Sequence, residues 1–322
     1  MNKDLAKFTA SLLLFGSNGV VASYINLPSY DIVVLRTLLG AALLAALLVW
    51  SRRRAKRAGR SGDVAPTEDV ADAGRSGSLA RLRSIVLVSL SGAFMGISWL
   101  LLFEAYSLVG VGVSSLLYYC GPVLVMAFSP ILFGERLTGI RVACFAVVLL
   151  GIVFVNSGGL GEGLSPQGLA YGVGSAVCLA ALITLNKKAK GLDGLENSLI
   201  QLVSAAIVAL VGTAALHGIS IDVQATDIPA ILMLGLVNTG LGCYLYFGSL
   251  GALKAQTVAV MGYIEPVSAV VMAMAFLGES MSALQIIGAV LVVAGAAATE
   301  LYPLFRQYAS IRRPHVRIPR RA

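Results

Sequence analysis

Residues 119–135, Tyr-Cys-Gly-Pro-Val-Leu-Val-Met-Ala-Phe-Ser-Pro-Ile-Leu-Phe-Gly-Glu, return 144 positions later as residues 263–279, Tyr-Ile-Glu-Pro-Val-Ser-Ala-Val-Val-Met-Ala-Met-Ala-Phe-Leu-Gly-Glu. Tyr119, Pro122, Val123 and Gly134-Glu135 fall on Tyr263, Pro266, Val267 and Gly278-Glu279 without a gap. The same register pairs Gly151 with Gly295, Gly96 with Gly240 and Phe103 with Phe247. Chance aligns one apolar helix with another, but it does not keep punctuation in register across three helices. The chain reads as one ancestral unit used twice, over residues 1–158 and 164–301.

Outward from this repeat the chain is a succession of apolar stretches, at 8–25, 28–50, 84–107, 112–133, 139–156, 165–186, 195–216, 228–249, 255–277 and 283–301. With 322 residues, 57% hydrophobic and only 12% charged, the chain is too apolar to hide its side chains in one soluble core. A hydrocarbon layer about 30 Å thick is crossed by about 20 residues of helix. The expected fold class is therefore an all-α polytopic membrane protein with ten transmembrane helices. Each unit holds five, an odd number, so the second copy enters the membrane from the opposite side. The two five-helix repeats are then inverted, related by a pseudo-twofold axis in the membrane plane, an architecture that recurs among secondary transporters.

Charge assigns the orientation. With the N-terminus in the cytoplasm, all but one of the 24 lysines and arginines fall on the inner side, and the exception, Arg36, lies within a span. This is the positive-inside pattern, and it places both termini in the cytoplasm of a cell whose plasma (inner) membrane the chain crosses. The net charge of +8 reports that topology; nucleic-acid binding would need one contiguous basic face. Residues 51–83, rich in Arg, Ala, Gly and Asp, are expected to form a disordered basic cytoplasmic loop, and residues 302–322 a basic cytoplasmic tail. Cys120, Cys144, Cys178 and Cys243 lie in spans at no metal-ligand spacing and are expected as reduced packing residues. Lys3, Lys7 and Val21-Ala22-Ser23 imitate a secretory signal and cleavage site, but the charge pattern needs the first helix to stay.

These residues bring the chain to a known family. Pro122, Gly134-Glu135 and Gly151, and again Pro266, Gly278-Glu279, Gly288 and Gly295, resemble the EamA-type unit of the drug/metabolite transporter superfamily, whose units carry a proline in the fourth helix, Gly-Glu at its end and a glycine-rich fifth helix. Arg36 matches a position where the family often carries arginine, and Glu265 one where it commonly carries an acid. The resemblance covers almost the whole chain except the loop at 51–83 and the tail. It implies movement of small metabolites, amino acids prominently, mostly outward.

Three ionisable residues sit within spans: Arg36, Glu104 and Glu265. Each such charge costs about 2.5 to 3.5 kcal/mol at a helix centre on insertion scales, so each needs a partner, a water-filled cavity or a proton. Glu265 lies about 15 Å along its span by helical rise, beside Pro266, which cannot donate to the Gly262 carbonyl, just as Pro122 cannot donate to that of Tyr118. Each repeat thus offers a kink and a free carbonyl at similar depth. Glu265 could bind a substrate's ammonium group or exchange protons; it could equally brace the kinked backbone at the repeat interface. Arg36 could bind a substrate carboxylate or serve as counter-ion to Glu104 or Glu265. Glu104, near the end of its helix, suits a gate or an excursion to water. Asn18, Trp99, Tyr118, Tyr119, Asn238, Tyr244 and Tyr263 complete the candidate site, the aromatic ones able to stack on an apolar group while their polar ends bond, or simply to satisfy neighbouring helices. Glu135 and Glu279, at span ends, read as helix caps, and Gly92 with Gly96 and Gly288 with Gly295 as close-packing faces.

Enzyme signatures are missing. The two histidines, His217 and His315, fall outside the spans, no metal or cofactor motif occurs, and no P-loop is present. The reading is a gradient-driven secondary transporter that exports a small metabolite such as an amino acid by alternating access. Protons are a candidate coupling ion, lipid is the surrounding solvent, and a homodimer stays open. Efflux of hydrophobic cations would use Glu265 and the aromatics without Arg36. A receptor or scaffold signalling through the 51–83 loop is the reading from another class, whereas a phosphate or nucleotide-sugar exchanger lacks a cluster of intramembrane cations. The orientation is open to a direct check: in a version without native cysteines, single cysteines near Glu162 and Asp222 should react with an impermeant thiol reagent added to intact cells. One near Arg60 should not, and labelling there would invert the topology.

Overall fold

The computed structural model describes residues 3–57, 71–133, 139–157, 165–189, 191–192, 194–216, 218, 222–250, 253 and 261–311. Among them every regular element is helical: α1 (Lys3–Gly16), α2 (Asn18–Ser23), α3 (Ser29–Arg57), α4 (Ala71–Val109), α5 (Val111–Tyr118), α6 (Gly121–Phe133), α7 (Gly139–Ser157), α8 (Pro166–Lys188), α9 (Gly194–Leu216), α10 (Ile228–Leu232), a π-helical segment (Met233–Leu241), α11 (Gly242–Leu250), α12 (Ile264–Leu277) and α13 (Ala283–Ile311). Among the described residues six stretches are long and apolar enough to cross a membrane: Lys3–Ser23, Ser29–Arg54, Leu79–Val109, Pro166–Lys188, Gly194–Leu216 and Ile228–Tyr246. Shorter apolar helices at Val111–Val125, Val142–Gly151, Ile264–Leu277 and Ala283–Gly295 lie along four more of the apolar stretches.

The helix ends follow from sequence. α8 starts with Ser165 as N-cap, its hydroxyl accepting from the Gly168 N–H at 3.3 Å, and with Pro166 at the first helical position, where the missing N–H costs nothing. α5 ends at Tyr118 because Pro122 has no N–H to offer its carbonyl. The chain tightens there: the Cys120 N–H reaches back only three residues, to the Leu117 carbonyl at 3.0 Å. A break comes at Tyr263, three residues before Pro266 as Tyr119 is before Pro122, and α12 resumes at Ile264. Residues 51–83, expected as a disordered loop, are helical at both ends, α3 running on to Arg57 and α4 starting at Ala71. Arg, Lys and Ala are strong helix formers, and extending an existing helix avoids the cost of nucleation. Residues 58–70, the pair Gly134-Glu135 and residues 312–322 lie outside the described residues.

Small residues set the packing. A methyl group placed on Gly151 would lie 2.8 Å from the Gly288 carbonyl, and one placed on Gly295 would lie 3.2 Å from the Cys144 carbonyl. Position 151 meets 288 while position 144 meets 295, so α7 and α13 run antiparallel. Residues 288 and 295 are also the repeat equivalents of 144 and 151, so this contact maps onto itself when the halves exchange. Other contacts form exchange pairs. α4 packs antiparallel on α8, with the Ser98 hydroxyl donating to the Ser175 carbonyl at 2.7 Å and Ser91 to Leu182 at 3.1 Å. Its counterpart is α1 against the π segment and α11, where Phe15 meets Gly242 and Phe8 lies 5.2 Å from the Tyr246 ring, again antiparallel. α4 runs parallel to α9, with Gly92 at Gln201 and Gly96 at Ala205; α3 runs parallel to the π segment, with Leu39 at Gly235 and Leu43 at Gly240.

Because no Cβ fits the α7–α13 seam, larger residues should force it apart. Overpacking typically costs about 1 to 3 kcal/mol. Gly151→Leu and Gly295→Leu should therefore each lower the unfolding temperature in detergent by a similar amount, whereas Gly139→Leu, which has open space around it, should not. Unequal or absent losses in a thermal-shift measurement would contradict the shared seam.

Candidate functional site

Arg36, on α3, is only 2% exposed. Its guanidinium lies over two rings of α4, 4.4 Å from the Trp99 centroid and 4.9 Å from that of Phe103, and its Nε donates to the Thr239 hydroxyl at 3.1 Å. Thr239 in turn donates to the Leu234 carbonyl, five residues back, at 2.8 Å. Such cation–π contacts are worth about 0.5 to 2 kcal/mol each, rising as the site dries. Arginine's plane suits this sandwich better than an ammonium does. Trp99 and Phe103 share a face of α4 because they are four residues apart, and Tyr106 continues it three residues on.

That aromatic stripe is tied to α5. The Trp99 indole N–H bonds Tyr118, and Tyr106 shares a hydrogen bond with Ser115. Tyr118 and Tyr119 meet edge-on with centroids 5.4 Å apart. The Tyr119 hydroxyl donates to the carboxylate of Glu265, which sits in the first turn of α12, where the helix dipole favours negative charge. The proline breaks at 119–122 and 263–266 are thus joined across the repeats by one side-chain bond. Tyr246, tilted against the rings of Phe8 at 5.2 Å and Phe15 at 5.9 Å, lies within electrostatic reach of Glu265.

Beside this core, α1 is interrupted at Ser17. Asn238 of the π segment, fully buried, points its amide nitrogen at three oxygens there: the Leu14 carbonyl at 2.9 Å, the Ser17 hydroxyl at 2.9 Å and the Asn18 side chain at 3.2 Å. Its own side-chain oxygen has no hydrogen-bond partner among the described residues. A buried amide oxygen left unpaired costs about 1 to 3 kcal/mol, and π segments cluster at functional sites.

The sequence-predicted residues divide. Arg36, Trp99, Tyr118, Tyr119 and Glu265 converge, and Asn18 and Asn238 form the adjoining polar cluster. Arg36 is not the contact counter-ion of either acid: Glu265 feels its charge across the site, but neither Glu104 nor Glu265 forms an ion pair with it. Glu104 follows Phe103 by one residue, about 100° further round α4, and so leaves the face that Phe103 presents to Arg36. Tyr244 is 43% exposed, two positions from the inward Tyr246. Tyr263 packs against the core cluster that holds Cys120, Val123 and Ala176 and lines an apolar cavity of about 490 Å³ between α1 and α12, with Leu13, Val267 and Met272. Pro266 is buried and Pro122 half-buried. Thr239, Phe103, Tyr106 and Tyr246 escaped the sequence reading. The spacing Trp99, Phe103, Tyr106 marks three of one helical face; nothing in the sequence marks Thr239.

A helical bundle with broken and π-wound spans, with a buried cation against the π segment and a half-buried carboxylate at a proline break, has the build of a multi-pass membrane transporter. The EamA-like transporter family matches residues 5–157 and again 166–300, and the chain belongs to that family, within the drug/metabolite transporters. It is 24% identical over 297 residues to an uncharacterized transporter, YxxF, of Bacillus subtilis, covering 91% of this chain and 88% of that one. It is 26% identical over 195 residues to a probable amino-acid metabolite efflux pump of Salmonella typhimurium, covering 57% of this chain and 65% of that one. A solved crystal structure superposes with a TM-score of 0.58 at 19% identity, covering 92% of this chain and 97% of that one, and so shares the fold. Family and relatives indicate a transporter and not an enzyme.

The Arg36 sandwich has a measurable consequence. Arg36→Lys keeps the charge but loses the planar stacking and the bond from Nε, and a lost hydrogen bond to a charged group costs about 1.5 to 3 kcal/mol. The variant should unfold at lower temperature in detergent, and Thr239→Val should do so to a smaller extent. Wild-type melting in both would show that these contacts contribute no stability.

Proposed function

We propose that this protein is a ten-helix secondary transporter of two inverted five-helix repeats that exports a small amphiphilic metabolite, an amino acid or close relative, by alternating access in the plasma membrane. The antiparallel run of α7 against α13, in which repeat equivalents meet each other, supports the inversion. The observation that carries the substrate reading is the separation of Glu265 from Arg36. Two opposite charges lie within electrostatic reach of each other among the same aromatic residues without neutralising each other by contact, and a zwitterion offers an ammonium for one and a carboxylate for the other. Tyr118, Tyr119 and Trp99 supply surface for its side chain, and the unpaired oxygen of Asn238 is an acceptor for a further N–H. The efflux-pump relative supports both amino-acid chemistry and outward direction.

A second reading follows from how fully Arg36 is engaged. Held by two rings and Thr239, it serves as scaffold in that reading, leaving Glu265 and the aromatics as a site for hydrophobic cations.

Glu265→Gln separates these roles from simple bracing. The amide keeps the shape and can still accept from Tyr119, but it carries no charge and no exchangeable acid proton. In liposomes with an imposed pH gradient, assayed with a metabolite that cells lacking the protein retain, the variant should lose pH-driven flux or bind more weakly by about 1 to 3 kcal/mol, the scale of a charge-assisted hydrogen bond. Unchanged affinity and pH response would leave Glu265 a structural residue. A substrate carrying both charges supports the first reading, and a cation transported without any carboxylate supports the second.

A further inference from the structure

Glu279 stands at the far end of α12 from Glu265, just past Gly278, which ends the helix in the left-handed conformation at φ +68°. Its carboxylate does not cap its own helix. It crosses to the other repeat and accepts two backbone N–H groups at the start of α5, that of Val111 at 2.6 Å on Oε1 and that of Gly112 at 2.9 Å on Oε2. A helix start carries unpaired N–H groups and positive dipole charge, so both oxygens find complementary partners. Gly110, immediately before α5, has φ +82°, and a Cβ there would lie 3.0 Å from the same carboxylate oxygen. The site is shaped to admit this carboxylate.

Two further observations give the contact a purpose beyond capping. It joins α5, which Tyr119 directly follows, to α12, which carries Glu265 in its first turn, so it bears on the separation of two elements that form the candidate site. It also borders a cavity of about 270 Å³ lined by Gly19, Ile32, Phe103, Tyr106, Val111 and Glu279. Phe103 lies against Arg36 and Tyr106 is bonded to Ser115 of α5. The cavity therefore stops at the residues that wall the site.

We propose that the Glu279 carboxylate on the α5 N-terminus is a latch that holds this end of the bundle shut, and that its release lets α5 and α12 part and joins the 270 Å³ cavity to the Arg36–Glu265 region. The proposal rests on the alternating-access reading for its role in transport, but not for its physical test. Detergent-solubilised full-length protein without native cysteines would carry a single cysteine at Ser115, which is 3% exposed. In a second sample nitroxide labels would be placed at the exposed Leu108 and Ser280, flanking the latch. Glu279→Ala should raise the rate of thiol labelling at position 115 about tenfold, equivalent to about 1.4 kcal/mol of bias toward the open form, and should add a longer component to the electron-spin distance distribution. Glu279→Gln should give a smaller change in the same direction, and Gly110→Ala, which crowds the carboxylate from the opposite side, should open the same end.

A cap without gating function would lower the melting temperature in these variants while leaving labelling and distances as in the parent protein, and that result overturns the proposal. If Glu279→Ala does not fold, Glu279→Gln and Gly110→Ala decide by the same two readouts. Opening in the variants with no flux in liposomes would count against the transport reading and leave the latch standing; normal flux with neither readout moved would do the reverse.

Discussion

Hydrocarbon offers no hydrogen bonds, so a chain that crosses it must satisfy its own backbone. At several interruptions among the described residues this bundle answers with a side chain or a tightened turn. At the α1 interruption the Leu14 carbonyl receives Asn238. The π segment gives the Leu234 carbonyl to Thr239. The α5 start, which has no preceding turn to supply acceptors, receives Glu279. Each repair comes from the other repeat or from within the broken segment itself, and each brings polar chemistry into a place that would otherwise be apolar. The candidate site is in this sense a by-product of backbone bookkeeping.

The same constraint governs the charges. An arginine at 2% exposure is costly unless its surroundings replace water, and two aromatic faces with one hydroxyl do so here. A direct ion pair would have lowered the cost further, yet it would also have consumed the carboxylate. Holding Arg36 by rings leaves Glu265 with a tyrosine as its bonded partner, a neutral group, so no ion pair ties the carboxylate down.

Much of this was legible before any coordinates. The doubled motif around Pro122 and Pro266 gave the repeat, the breaks fall within three residues of those prolines, and Arg36 and Glu265 stood out because charge within a span is expensive. Periodicity could have added Phe103 and Tyr106 to Trp99. What sequence hid is contact across the bundle. Nothing about Thr239 announces that a π segment will turn it toward Arg36, and Tyr244 and Tyr246 look equivalent until the helix phase is known. Cost alone suggested an acid as one possible partner for Arg36; Glu265 does feel its charge, but the contacts are made by aromatic faces, which meet part of the same cost. The helical ends of the 51–83 segment were hidden by composition, since arginine and alanine favour helix continuation as readily as they populate loops.

The α7–α13 seam has an evolutionary reading. A surface on which residue i meets j while the copy of j meets the copy of i is isologous, the kind formed by two identical subunits about a twofold axis. Had the five-helix unit once existed as a separate chain, the contact between Gly151 and Gly288 and that between Gly295 and Cys144 would have been one contact counted twice, and every change would have been felt on both sides at once. Fusion of two copies removes that coupling. Cys144, standing where the other half has Gly288, is a place where the two faces have since been free to differ.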